Sequence, residues 1–202
     1  MGVVRNLPYR KPAVYPQKLL KKGYEKIIIY QGSVNVGRGL ERMIEAMRYI
    51  ENAHFVIVGE GDILSELEKK VKDDQLSDKV TFMGRIPVSA LHYYTVEADL
   101  GISLEENLGL NYYYALPNKL FDYIQARVPV LVSDFPEMAE VVNRYKIGRT
   151  TLISDPKQLA VILHEMLTDE GCRESWKLNL QHAADELCWE NEENKLFDLL
   201  AI

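Results

Sequence analysis

The sequence predicts an α/β fold, a mostly parallel, doubly wound sheet with helices on both faces, and three observations carry that prediction. Short β-branched runs alternate with stretches of helical spacing along most of the chain. The runs are apolar at consecutive positions, as in strands buried on both faces. Glycine follows the first three of them, at Gly32, Gly59 and Gly84, where the backbone must turn out of the sheet.

Ile27-Ile28-Ile29-Tyr30 is the first strand, and a helix follows over 39–50 with Leu40, Met43, Ile44 and Met47 on one face. The second strand covers 54–58, and Ile63, Leu64, Leu67 and Val71 mark a helix over 63–71. Val80-Thr81-Phe82-Met83 is the third strand, with a short helix over 88–94. Leu100-Gly101-Ile102-Ser103-Leu104 is the fourth; a polar, tyrosine-rich loop fills 105–117, and a helix runs from Lys119 to about Ala126. A fifth strand is expected over 128–133, a helix over 136–144 and a short sixth strand over 147–150. Asp155-Pro156 reads as an N-cap followed by proline at the first helical position, and Leu159, Ile162, Leu163 and Met166 form the inner face of that helix.

The remaining segment, 173–202, is charged and helical in pattern, its acidic cluster over 190–193 reading as a solvated face. At the other end, Pro8, Pro12 and Pro16 disfavour both helix and central strand, so 1–25 reads as a linker or extended arm. The expected organisation is a linker over 1–25, the α/β domain over 26–170 and C-terminal helices over 171–202.

With 202 residues, 47% hydrophobic and 27% charged, the chain has the make-up of a soluble globular domain that needs no disulfide staples. Cys172 and Cys188 lack metal-ligand spacing and read as unpaired thiols of a reducing compartment. The net charge of −6 argues against a nucleic-acid partner. No apolar run approaches the ~20 residues of a membrane span, and the N-terminus lacks the apolar core of a signal peptide. The expected location is cytoplasmic, with peripheral attachment to a membrane left open. His54, His92, His164 and His182 are scattered, without the spacing of a metal site.

In such sheets ligands bind beyond the carboxyl ends of the strands, where strand order reverses. Gly32-Ser33-Val34-Asn35-Val36-Gly37-Arg38-Gly39 leads from the first strand into a helix, a pattern that suits either an anion site with Arg38 as a phosphate ligand or a flexible turn with a solvated arginine. Gly59-Glu60-Gly61-Asp62 and Gly84-Arg85-Ile86-Pro87 are further glycine turns. The densest stretch is Ala115-Leu116-Pro117-Asn118-Lys119-Leu120-Phe121-Asp122-Tyr123, with Asn118 as a plausible cap, Lys119 as a cation and first-turn N–H groups facing the cleft. Asp122 fits either a ribose-binding carboxylate or an acid favourably placed near a helix N-terminus. Tyr112-Tyr113-Tyr114 fits either a sugar platform or packing beneath the loop. No Ser-His-Asp, Walker or dinucleotide fingerprint is present.

Taken in order, these blocks resemble the C-terminal domain of the group 1 glycosyltransferases (glycosyltransferase family 4), over 26–169. The likeness rests on Tyr30-Gln31-Gly32 through Arg38-Gly39, Val56-Ile57-Val58-Gly59-Glu60-Gly61, Val80-Thr81-Phe82-Met83-Gly84, Ala98-Asp99-Leu100-Gly101-Ile102, Pro117-Asn118-Lys119-Leu120-Phe121-Asp122-Tyr123 and Val128-Pro129-Val130-Leu131-Val132-Ser133. The resemblance implies one Rossmann-like half of a GT-B fold, which holds a nucleoside-diphosphate sugar such as a UDP- or GDP-sugar. It implies retention of anomeric configuration, no metal cofactor, and an N-terminal acceptor domain as partner. By position, it implies that Gly32, Arg38 and the main chain of Asn118, Lys119 and Leu120 hold the diphosphate, while Gly59, Arg85, Ile86 and Asp122 hold base and ribose.

The sequence also departs from the family pattern. Ser33 stands where many members carry arginine, and Tyr114 occupies the place of the first glutamate in the family's Glu-x7-Glu motif. Glu105 or Glu106 would replace that sugar-facing carboxylate only if the loop folds back. With only 1–25 ahead of the first strand, the chain reads as a truncated enzyme or a single-domain subunit, inactive alone. Its 3–8 segment resembles the interdomain connection, and its last helix the one that packs toward the other domain. The expected enzyme is a retaining hexosyltransferase building a bacterial polysaccharide or other cell-surface glycan. The alternatives are a non-hydrolysing sugar-nucleotide epimerase, for which no convincing catalytic set is present, and a non-catalytic partner-binding module.

Overall fold

The computed structural model describes residues 3–12, 19–20 and 26–200, with side chains up to Phe197. Of the arm expected over 1–25, residues 1–2, 13–18 (Pro16 among them) and 21–25 lie outside the described residues, as do 201–202.

Strands β1 (Lys26–Gln31), β2 (Ala53–Val58), β3 (Val80–Gly84), β4 (Leu100–Ser103), β5 (Val130–Ser133) and β6 (Gly148–Thr151) form one sheet. Its order is β3-β2-β1-β4-β5-β6 with every pair parallel, the doubly wound α/β arrangement expected from sequence. The order reverses between β1 and β4, so a crevice opens beyond Gln31 and Ser103.

The strands are apolar at consecutive positions because both faces are covered. Ile28 and Tyr30 of β1, with Phe55 and Ile57 of β2, pack under α1 (Leu40–Ala46), α2 (Leu64–Asp73) and α7 (Pro156–Thr168). Ile27, Ile29, Val56 and Val58 pack on the other face, against α5 (Asn118–Gln125), α6 (Pro136–Tyr145) and, through its partly buried side chains, α3 (Val88–Thr95). α8 (Glu170–Glu186) joins the two cores: Trp176 belongs to the first, and Leu180, Ala183 and Ala184 to the second.

Several boundaries differ from expectation. α1 ends at Ala46 and continues as a 3-10 turn, Met47–Tyr49. The loop over 105–117 contains a one-turn helix, α4 (Leu110–Tyr113). β5 starts at Val130 because Pro129 has no N–H to give the ladder, although its carbonyl accepts the Gly101 N–H at 2.9 Å. α5 starts at Asn118 itself, with Pro117 as its cap residue; the Asn118 side chain instead accepts the Asn6 amide at 3.2 Å. Asp155 caps α7 as expected, accepting the Gln158 N–H at 2.9 Å.

The acidic cluster over 190–193 is not simply a solvated face. Residues 3–12 run along α9 (Trp189–Leu200), where Glu192 accepts the Arg5 N–H at 2.7 Å and Glu190 the Arg10 N–H at 3.1 Å. The Trp189 N–H returns a bond to the Pro8 carbonyl at 2.9 Å, and the Lys11 N–H reaches Gln125 of α5 at 2.9 Å. Among the described residues no helix is long and apolar enough to cross a membrane.

Candidate functional site

The site is built where the β1 and β4 exits diverge. Gly59 follows β2 with φ 142°, and a Cβ there would stand 1.8 Å from the Gly32 carbonyl oxygen. The first two βα turns therefore touch backbone to backbone, which glycine alone permits.

Tyr123 of α5 fills the gap that opens between β1 and β4. Its buried hydroxyl accepts the Gln31 N–H at 3.2 Å and lies 3.3 and 3.2 Å from the carbonyls of Ile29 and Ile102. Burial pushes this phenol well above its ordinary pKa, so it remains a neutral donor. Gly101 leaves room for the ring, since a Cβ there would approach it to 2.6 Å.

Two cations converge on one buried carboxylate. Glu105 is 1% exposed and takes the Lys119 ammonium at 2.9 Å, the Ser103 hydroxyl at 2.8 Å and the Arg38 guanidinium at 3.8 Å. Burial pushes the Glu105 carboxyl up, but the charge and hydrogen bond of Lys119 outweigh it and hold the group below the usual carboxylate range. Lys119, 9% exposed, is pulled below an ordinary lysine by burial despite Glu105, and its ammonium lies 4.2 Å from the Tyr30 ring centroid. Arg38 sits in the turn before α1, over the Tyr112 ring at 5.4 Å. Its Nε is buried and has no partner among the described residues.

Asp122, one helical turn after Asn118, lies on the far side of Gln31. Gln31 Nε2 donates to Asp122 Oδ2 at 3.0 Å, and the Thr95 hydroxyl of α3 donates to Gln31 Oε1 at 2.8 Å. Burial raises the Asp122 carboxyl pKa, partly offset by the Gln31 bond and the charge of Lys11.

Three neighbouring hollows of about 490, 350 and 240 Å³ share Gln31 and Leu91. Gly59, Arg85 and Ile86 line the first; Gly32, Arg38, Asn118, Lys119 and Asp122 line the second; Tyr9, Lys11, His92 and again Asp122 line the third. Eight of the nine residues expected from sequence thus border this connected cleft. Leu120 does not: its side chain is buried and its N–H is bonded to the Pro117 carbonyl at 3.1 Å. The first turn of α5 therefore offers a ligand the N–H groups of Asn118 and Lys119.

The tyrosine triplet divides. Tyr113 packs against Phe135 at 5.2 Å, Tyr112 lies beneath Arg38, and Tyr114 is exposed. Glu105 is turned into the protein and is no surface for a sugar. Sequence reasoning missed Gln31 and the buried role of Glu105. A larger hollow of about 610 Å³ lies between α1 and the β6–α7 turn, but Glu41, Glu45 and Glu106 make its lining unsuited to a diphosphate. Among the described residues no group of three or more His, Cys, Asp or Glu is arranged to hold a metal ion.

Comparison with known proteins gives the site a context. Residues 13–182 match the family model for glycosyl transferases group 1. A Methanocaldococcus jannaschii glycosyltransferase, MJ1607, is 26% identical over 174 residues, covering 84% of this chain and 43% of its own length. The chain thus spans less than half of that curated relative. Among solved structures, WaaG, a glycosyltransferase involved in lipopolysaccharide biosynthesis, superposes with a TM-score of 0.71 at 21% identity, over 93% of this chain and 55% of its own. Anabaena HepE in complex with UDP-glucose superposes with a TM-score of 0.73 at 15% identity, over 87% of this chain and 49% of its own. At these identities the solved structures share the fold.

Proposed function

The chain belongs to the group 1 glycosyltransferases, and from that premise we propose that it is the donor-binding half of a retaining enzyme whose cleft holds a nucleoside-diphosphate sugar. One observation carries the reading: the cationic pair Arg38 and Lys119, the first turn of α5 and the carboxylate of Asp122 border one hollow at the switch point of the sheet. The guanidinium of Arg38 and the N–H groups of Asn118 and Lys119, bordering the same hollow, suit a diphosphate. Asp122 suits vicinal ribose hydroxyls, and the Arg85–Ile86 hollow suits a base. HepE, of the same fold, was solved with UDP-glucose, which supports a UDP-sugar donor here.

In this reading catalysis is electrostatic. As the glycosidic bond to the diphosphate breaks, negative charge grows on the leaving phosphate. Arg38 and the α5 N–H groups border the hollow where that charge would grow, and in this reading they stabilise it. Glu105 holds the two cations beside one another while neutralising part of their charge. No step here uses a metal. In this reading the acceptor, and any general base, are held by a second domain of the enzyme. A polysaccharide or cell-surface glycan is the proposed product class, in keeping with WaaG's role in lipopolysaccharide biosynthesis.

Calorimetric titration with UDP, GDP and inorganic pyrophosphate tests the proposal. One nucleoside diphosphate is expected to bind, and Asp122→Ala is expected to weaken it by about tenfold while sparing pyrophosphate. A folded sample that binds none of the three refutes the reading.

A further inference from the structure

One buried polar side chain of the cleft belongs to no expected ligand set. Gln31 ends an apolar strand, is 2% exposed and contributes to all three hollows. Burying a primary amide is costly unless its donors and acceptor are matched. Here the match is directional: Thr95 Oγ1 donates to Oε1 at 2.8 Å, and Nε2 donates to Asp122 Oδ2 at 3.0 Å. Thr95 is itself fixed, being 1% exposed with its hydroxyl 3.0 Å from the Leu91 carbonyl of its own helix. The backbone N–H of Gln31 is separately tied to Tyr123, so the side chain serves a purpose other than holding the strand end.

We infer that Gln31 is a positioning residue for nucleoside recognition: its amide, locked by Thr95, holds one oxygen of Asp122 and leaves the other open to a vicinal diol. This rests on the donor-site reading of Asp122 given above. The relay has two consequences. It fixes the carboxylate rotamer across the boundary between two hollows, so the diol meets an oriented acceptor instead of a swinging one. It also favours the charged carboxylate against the burial that would neutralise it. The other charged or titratable groups around Asp122 are Tyr9 and Lys11 from the arm, His92 from α3, Tyr30, Arg38 and Lys119 across the neighbouring hollow, and the buried Tyr123 beside it on α5. Of these, Lys11 acts on the carboxyl in the same direction as Gln31.

The test is titration of the wild-type chain, Gln31→Leu, Thr95→Val, Asp122→Ala and the Gln31→Leu/Asp122→Ala double variant with UDP, GDP and inorganic pyrophosphate. Gln31→Leu is expected to lose about tenfold in affinity for the bound nucleoside diphosphate, the scale of one hydrogen bond to a charged group. Pyrophosphate affinity should not change, since Arg38 and α5 are untouched, and this also shows that the variant is folded. The loss should grow as the pH is lowered, because without the Gln31 N–H the carboxyl takes up a proton earlier. The double variant should be no weaker than Asp122→Ala alone. If Gln31→Leu does not fold, Thr95→Val carries the test with a smaller loss of the same selectivity. Wild-type affinity in Gln31→Leu, an equal loss for pyrophosphate, or additive losses in the double variant overturns the inference while leaving Asp122 as a ligand. A wild-type chain that binds no nucleoside diphosphate, or an Asp122→Ala variant that binds one normally, overturns the donor-site reading as well.

Discussion

Replacing Lys119 by methionine removes one half of the buried pair with Glu105, and the structure sets the scale of the effect. The 2.9 Å contact is worth about 6 kcal/mol of gross attraction at an effective dielectric of about 20. Desolvation of both charges offsets much of that, and removing one partner of a buried pair typically costs about 3–5 kcal/mol, because the other charge is left uncompensated. Glu105 would keep the Ser103 hydroxyl and the more distant Arg38, so the lower end, about 3 kcal/mol, is expected. For a chain of this size that corresponds to a fall in Tm of roughly 6–12 °C. The Glu105→Gln/Lys119→Met double variant removes both fully buried charges and leaves only the part-exposed Arg38 without its carboxylate, so it should recover most of the loss, to within about 1 kcal/mol of the wild type. Glu105→Gln alone should weaken the fold yet tighten pyrophosphate binding, since it removes the negative charge beneath both cations. Urea denaturation at constant m, with pyrophosphate titration in parallel, measures both quantities. A double variant as unstable as Lys119→Met, or a Glu105→Gln chain that binds pyrophosphate more weakly, would refute the reasoning.

Further predictions concern α5. Asp122 has its pKa raised by burial, so its ionisation costs stability above the unfolded-state pKa, and that cost disappears as pH falls below it. Asp122→Asn should therefore melt higher than the wild type near neutral pH and at the same temperature in acid, while binding nucleotide less well; a melting difference independent of pH contradicts this. Tyr123→Phe leaves the buried Gln31 N–H without its acceptor and should cost about 1–3 kcal/mol in urea denaturation; an unchanged midpoint would show that the hydroxyl does not bridge the two strands.

The α/β order was legible because strands buried on both faces are written as unbroken apolar runs, and Ile27 to Tyr30 cannot form a half-exposed edge. The details that escaped are those decided by distant partners. Glu190 and Glu192 look solvated in a local window, yet they cap an arm more than 170 residues earlier in the chain. Glu105 reads as a loop acid; only the fold brings Lys119, 14 positions on, against it. Gln31 looks like the polar end of a strand until Thr95 and Asp122 close around it. Proline effects were misjudged locally instead: Pro129 delays β5, and Pro117 takes the cap position expected of Asn118. Departures at Ser33 and Tyr114 were visible at once. Tyr114 remains exposed while Glu105 turns inward, so neither position presents a carboxylate to the proposed donor cleft.

The central claim is that the carboxyl edge around Gln31 binds a nucleoside diphosphate, and amide NMR of the labelled chain titrated with UDP and GDP tests it most directly. Saturable shifts are expected at Gly32, Gly59, Ile86, Asn118 and Lys119, with pyrophosphate alone moving only the Gly32, Asn118 and Lys119 group. Shifts confined to the acidic hollow around Arg42 and Leu152, or no saturable shifts with either nucleotide, would contradict it.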